Sequence, residues 1–213
     1  MNFLDRIKGK FITFEGIEGA GKSTQSKLLV EYLNNHGVEA IYTREPGGCP
    51  EAEEIRNLLI NGSVDKWDAT TELLLMYSSR KIHTEKKIKP LLEKGVVVVS
   101  DRYFDSTTAY QGYGYNFDLE KIEKVKKIVL DDFKPDTTII LDLNVLKGLE
   151  RANKRGDANR FESMKIEFHM RVRNGFKKIA EAEPERCTLI NVENYSINEL
   201  HMEIIRILDE SIK

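Results

Sequence analysis

The sequence predicts an α/β fold: a doubly wound, mainly parallel five-stranded sheet with helices on both faces. Three observations predict it. Short apolar runs recur at Phe11–Phe14, Glu39–Tyr42, Val96–Val99, Thr138–Leu143 and Thr188–Val192. The segments between them carry mostly helical periodicity. A glycine-rich turn stands directly between the first run and the first of those helices. Strands alternating with helices need crossover connections, which make a sheet parallel, cover both its faces and leave ligands at the carboxyl ends of the strands.

Taken in order, Phe11–Phe14 is an aromatic and β-branched strand, and Lys22–Asn35 follows as an amphipathic helix. Glu39–Tyr42 leads to a helix over Pro50–Ile60, opened by proline at a position where a helix tolerates one. Ala69–Glu93 reads as a long third helix that Pro90 should kink or end early, because proline has no amide hydrogen to donate. The valines of Val96–Val99 form the next strand, followed by helices over Phe104–Gln111 and Leu119–Leu130. In the latter, Lys121, Lys124, Lys126 and Lys127 alternate with apolar residues at helical spacing and read as a solvated face. Strand Thr138–Leu143, helices Val145–Lys154 and Glu162–Ala182, strand Thr188–Val192 and helix Ile197–Ile212 complete the alternation.

With 213 residues and 40% apolar side chains the chain can bury one sizeable core, and a single domain over 1–213 is expected. Lys plus Arg (33) nearly cancel Asp plus Glu (35), so no global field draws the protein to nucleic acid or membrane, and a polyanion must be gripped locally. Cys49 and Cys187 lie far apart without CxxC spacing and read as reduced thiols. Met1–Lys10 lacks the apolar stretch of a signal peptide, and Val96–Val99 is far too short to span a bilayer. A cytoplasmic location is the expectation.

Gly16-Ile17-Glu18-Gly19-Ala20-Gly21-Lys22-Ser23 fits G-x-x-x-x-G-K-[ST] in the strand-to-helix context the motif requires, with Thr24 next on the helix. Its glycines let backbone amides turn inward around phosphate oxygens, and the helix N-terminus adds about half a positive charge there. Lys22 is assigned to the β- and γ-phosphates of ATP and Ser23 to Mg²⁺. The fold is therefore expected to be that of the P-loop NTPases. Two strands deliver an acid at their carboxyl ends, Val96-Val97-Val98-Val99-Ser100-Asp101 and Thr138-Ile139-Ile140-Leu141-Asp142. Asp101 is the first choice for organising the metal and Asp142 the second, against the plain alternative that each caps the following helix.

Thr43-Arg44-Glu45-Pro46-Gly47-Gly48, Asp101-Arg102-Tyr103 and Ala109-Tyr110-Gln111-Gly112 resemble the signatures of the thymidylate kinase family. The resemblance runs from Phe11 through Arg160 to Arg171-Val172-Arg173. It implies transfer of the γ-phosphoryl group of ATP to dTMP, a homodimer, and a set of acceptor-site roles. Arg44 and the 45–48 loop would line the acceptor site, with Pro46 near the thymine ring. Arg80 would bond the base, Arg102 clamp the acceptor phosphate, and Glu18 contact the sugar 3′-hydroxyl. Tyr110 would crowd the 2′ position, with Ser106, Thr107 and Gln111 in the same pocket. The chain departs from the family where Met76 replaces the usual stacking phenylalanine; Tyr77 beside it should point about 100° away on an ideal helix.

The segment Arg151–Arg160 resembles the small mobile lid of the bacterial kind of thymidylate kinase. The resemblance assigns Arg155 to transition-state charge, with Arg151, Lys154 or Arg160 able to share the task and Gly156 as a hinge. Asn153 stands where the family often has arginine. Catalysis would then rest on Lys22, Arg102 and Arg155. A regulatory GTPase is disfavoured because Asn153-Lys154-Arg155-Gly156 breaks the guanine motif at its fourth place. A kinase for another nucleoside monophosphate or nucleoside, or a nucleotide-dependent binding module, are the alternatives.

Overall fold

The computed structural model describes residues 2–63, 65–154 and 161–212. Five strands form one sheet: β1 (Phe11–Gly16), β2 (Ala40–Arg44), β3 (Val97–Asp101), β4 (Thr137–Asp142) and β5 (Cys187–Asn191). Their order is β2-β3-β1-β4-β5, and every neighbouring pair is parallel. The chain winds through β2 and β3 on one side of β1, then crosses over β1 to β4 and β5 on the other, and the crevice opens at the carboxyl ends of the strands where this switch occurs.

Ten α-helices are described: α1 (Phe3–Arg6), α2 (Lys22–Asn35), α3 (Pro50–Ile60), α4 (Ala69–His83), α5 (Lys89–Leu92), α6 (Phe104–Thr107), α7 (Leu119–Leu130), α8 (Val145–Asn153), α9 (Ile166–Ala182) and α10 (Ile197–Ser211). Period-two alternation sends successive strand residues to opposite faces. Ile12, Phe14, Val97 and Val99 pack with Leu29 and Leu33 of α2 and Ile204 and Leu208 of α10. Phe11 and Val98 join a second cluster with Leu73, Tyr77, Ile88 and Ile122. On the second face β1 contributes Thr13 and Glu15, both buried.

The expected third helix proves composite. Regular α-helical bonding stops at His83, a π turn spans Thr84–Ile88, and α5 carries the path on to Leu92. Lys89 N–H bonds the Thr84 carbonyl, five residues back, and this widened turn accommodates the Pro90 ring without ending the helical path. A second π turn, Thr108–Gly114, extends α6. The helix expected from Glu162 begins at Ile166, and α1 has no counterpart among the sequence expectations. Lys121, Lys124 and Lys127 are exposed and Lys126 is half-buried, as a solvated face requires. No helix among the described residues is long and apolar enough to cross a membrane. Cys49 and Cys187 are free thiols.

Candidate active site

The loop after β1 is shaped by what crowds it. Gly16 has φ +133° and a Cβ there would overlap the Leu141 carbonyl oxygen; Gly19 has φ +71° and a Cβ there would overlap the Gly148 carbonyl oxygen. Ile17 and Ala20 turn their side chains into the core, so the groups they can offer a ligand are backbone. Lys22 opens α2 and is buried, its Nζ donating to the Ile17 carbonyl at 2.7 Å. Burial lowers its pKa to about 8, the charge of Arg102 adding to the shift and Asp101, Glu18 and Glu15 opposing it. Thr24, one position beyond Ser23, is exposed.

Ser23 Oγ donates to Asp101 Oδ2, bringing two hard oxygen donors together at the mouth of the loop. Both β3 and β4 flank β1, so strand adjacency does not distinguish the two candidate acids. Their partners do. Asp142 accepts from Arg173 Nε and Nη2 at 2.6 and 2.9 Å, and Lys177 Nζ stands 3.4 Å away. Burial would raise the Asp142 pKa, but those cations hold it below the usual carboxylate value. No group of three His, Cys, Asp or Glu among the described residues could hold a metal by itself. Ser23 and Asp101 with waters and nucleotide oxygens suit the hard, partly hydrated Mg²⁺ ion.

Arg102 follows β3 with φ +73°, a left-handed conformation unusual for a residue other than glycine. Its Nη1 donates to Gly16 O and Ser106 Oγ, each at 3.0 Å. Its Nη2 donates to Tyr110 Oη at 3.0 Å and Glu18 Oε1 at 3.2 Å, and the Tyr110 hydroxyl donates to the same Glu18 oxygen at 2.5 Å. Burial would raise the Glu18 pKa, yet His169, the Arg102 and Lys22 charges and the Tyr110 hydroxyl hold it well below the carboxylate range. His169 is buried, its Nδ1 lies 3.6 Å from Glu18 Oε2, and neither ring nitrogen has a hydrogen-bond partner. Beneath this network Glu15 accepts from Tyr103 N at 2.7 Å and Ser106 Oγ at 2.6 Å. Burial and the nearby Asp105 carboxylate push its pKa up.

A cleft of about 370 Å³ adjoins the loop, lined by Glu18, Arg44, Glu45, Pro46, Met76, Arg80, Arg102, Ser106, Thr107, Tyr110 and Gln111 as the sequence led us to expect; of the 45–48 loop, Gly47 and Gly48 do not line it. Arg80 is buried, with Nε on Glu45 Oε2 at 2.7 Å, Nη1 on Thr107 Oγ1 at 3.0 Å and Nη2 on the Tyr103 carbonyl at 3.0 Å. Glu45 Oε1 is 3.0 Å from His83 Nδ1, whose other nitrogen meets Thr43 Oγ1 at 2.7 Å. Arg44 is exposed and pairs with Glu53 at 3.2 Å. Met76 reaches the cleft. Tyr77 is buried in the second core cluster instead, with the Arg80 guanidinium 4.7 Å over its ring.

Sequence reasoning passed over Arg56, which donates to the Pro46 carbonyl at 2.8 Å, and the lining residues Tyr42, Ile60 and Phe161. It also passed over Glu15, Glu72 and His169. Glu72, Met76 and Arg80 recur every four residues on α4, a same-face spacing that could have drawn Glu72 in. Of the lid segment, Arg151 Nη1 lies 3.5 Å from the Gly19 carbonyl and Lys154 pairs with Glu150 at 2.7 Å. Arg155, Gly156 and Arg160 lie outside the described residues.

A family model described as thymidylate kinase matches residues 14–204. A thymidylate kinase of Caulobacter vibrioides is 50% identical over 186 residues, covering 87% of this chain and 89% of its own length. One from Wolbachia sp. subsp. Brugia malayi is 48% identical over 198 residues, covering 92% and 93%. The crystal structure of thymidylate kinase from Ehrlichia chaffeensis is similar at a TM-score of 0.76 and 40% identity, covering 94% of this chain and 98% of that one. Matched across most of its length in sequence, and by a solved structure in fold, the chain belongs to the thymidylate kinase family.

Proposed function

We propose that this protein transfers the γ-phosphoryl group of ATP to dTMP, giving dTDP and ADP. The observation that carries the reading is the shared use of Glu18 and Arg102. Arg102 bonds both Gly16 of the phosphate-binding loop and Ser106 and Tyr110 of the acceptor cleft, so the two sites meet end to end on one network. Family membership favours this acceptor over other monophosphates and over a nucleotide-dependent binding module.

The chemistry asks for alignment and positive charge rather than a covalent nucleophile. A phosphate monoester has its second pKa near ~6 and attacks already ionised at neutral pH, so no general base is needed. Backbone amides of residues 16–23 cradle the ATP phosphates, and Lys22 neutralises charge on the group in transit. Arg102 stands at the acceptor cleft to clamp the acceptor phosphate, held there by the Gly16 carbonyl and the side chains of Ser106, Glu18 and Tyr110, which its terminal N–H groups exchange for phosphate oxygens when the acceptor binds. Ser23 and Asp101 would hold Mg²⁺, which when bound neutralises the nucleotide's phosphate charge. Glu18 is ionised and accepts the sugar hydroxyl, while Tyr110 occupies the space a 2′-hydroxyl would need. Arg80, Met76, Pro46 and Gln111 receive the base.

Residues 151–160 serve as a lid that excludes water and brings Arg155 to the transferring group. The reading takes residues 1–213 as one kinase domain, working as a homodimer in the cytoplasm. Incubation with Mg·ATP and each nucleoside monophosphate, following ADP release, tests it. Preference for dTMP, with modest selectivity over dUMP because one methyl is worth about 1–3 kcal/mol, is expected. A flat acceptor profile overturns it.

A further inference from the structure

Gln111 sits in the π turn that extends α6, fully buried, and lines the acceptor cleft. Its Nε2 donates to Glu72 Oε1 at 2.5 Å. An ionised carboxylate can only accept, so with Glu72 ionised the nitrogen end of the amide is the end that meets it. That leaves Oε1, which is buried and has no hydrogen-bond partner. An amide oxygen is seldom buried without a partner, so a partner arriving with a ligand is its simplest explanation. The other polar group offered to the base is Arg80, a donor with no acceptor capacity. Three of its five N–H bonds go to Glu45, Thr107 and the Tyr103 carbonyl.

We infer that Glu72 is a specificity-determining residue: by pinning the Gln111 amide, it makes the site select a pyrimidine that carries a proton on N3 over one whose N3 is a bare acceptor. The inference rests on the proposed function, with the base of dTMP in this cleft. Thymine and uracil present O4 as an acceptor beside N3–H as a donor, which complements Arg80 and Gln111 Oε1. Cytosine presents the reverse pair. Arg80 cannot invert its polarity. Gln111 could, because a half-turn about its last bond exchanges oxygen for nitrogen. Glu72 forbids that turn, since it would set two oxygens against each other in a buried site. Glu72 itself is fully buried on α4, eight positions before Arg80 on the same helix.

Replacing Glu72 by glutamine keeps the shape and supplies a side chain that can donate as well as accept. The Gln111 amide is then free to take either orientation, and the barrier against cytosine contributed by this position falls. The test compares kcat/KM for dTMP, dUMP and dCMP with Mg·ATP in the wild type, Glu72→Gln and Glu72→Asp. In Glu72→Gln the dTMP:dCMP ratio should shrink by about 10- to 100-fold, the worth of one mispaired buried hydrogen bond. The dTMP:dUMP ratio should stay put, because both bases carry N3–H. Glu72→Asp keeps an acceptor-only group and should retain most of the discrimination against dCMP.

A Glu72→Gln enzyme that works on dTMP with an unchanged dTMP:dCMP ratio overturns the inference, and so does one that loses all three activities in equal proportion. Should that variant melt below the assay temperature, Gln111→Met replaces it. Removal of the amide should then cost the same discrimination, and its persistence overturns the inference. A wild-type protein without activity on dTMP overturns the proposed function, and this inference with it.

Discussion

Arg102 Nη1 donates to the Gly16 carbonyl oxygen at 3.0 Å, so an arginine that lines the cleft is anchored on the first residue of the phosphate-binding loop. Lysine in its place keeps the charge and loses the fork. Arg102→Lys should lower kcat by about 10²-fold, the worth of two charge-assisted hydrogen bonds. Steady-state kinetics with dTMP checks this, and a loss of only a few-fold would show that point charge suffices.

Lys22 gives the active site a pH dependence. Its ammonium, lowered to about 8 first by burial, is protonated at neutral pH and loses its proton above that value. kcat/KM for ATP should therefore fall as pH rises past about 8. Stability moves the other way. Between about 8 and the ordinary 10.5 the unfolded chain holds more protons than the folded one, so the cost of burying this charge is relieved as pH rises through that window. Lys22→Met should remove both dependences, read from a pH–rate profile and from denaturation at several pH values.

The two strand-end acids should separate cleanly on magnesium titration. Asp101→Asn should raise the Mg²⁺ concentration for half-maximal activity by about 10-fold or more. Asp142→Asn should leave it nearly unchanged, because Arg173 and Lys177 already occupy that carboxylate. The reverse pattern would reassign the metal site.

Gly148 of α8 packs directly on the loop: a Cβ there would meet the Glu18 carbonyl oxygen at 2.5 Å. That oxygen is backbone and cannot swing aside. Gly148→Ala should destabilise the fold by about 1–3 kcal/mol and raise KM for ATP, measured by urea denaturation and initial rates.

Arg155→Ala should lower turnover by roughly 10³- to 10⁵-fold with little change in melting temperature, as loss of an arginine finger does. Arg151→Ala, which removes a side chain touching Gly19 O, should have a smaller effect. Equal losses in the two variants would divide the task between them.

The elements and the phosphate-binding loop were legible because their signals are contiguous. A strand shows as a short run, a helix as periodicity, and the loop as eight consecutive residues with strand and helix on either side. The residues expected at the acceptor site were reached through dispersed motifs, and all but Gly47 and Gly48 line one cleft. Tyr77 shows the same local logic, since helix geometry by itself turned it away from Met76. What escaped was mostly buried and polar: Glu15 under Ser106, His169 beside Glu18, and Glu72 behind Gln111.

By itself the sequence determined the parallel αβ alternation, the phosphate-binding loop and the two acids at the strand ends. Tertiary structure gave those acids different partners, although β3 and β4 lie on either side of β1 and the local pattern is identical at both. It was Arg173, arriving from α9, that claimed one carboxylate, while Ser23 met the other. A side chain's role depends on which neighbours compete for its hydrogen bonds in a water-poor site. Those neighbours are brought together by packing of segments distant along the chain, which no short stretch of sequence records.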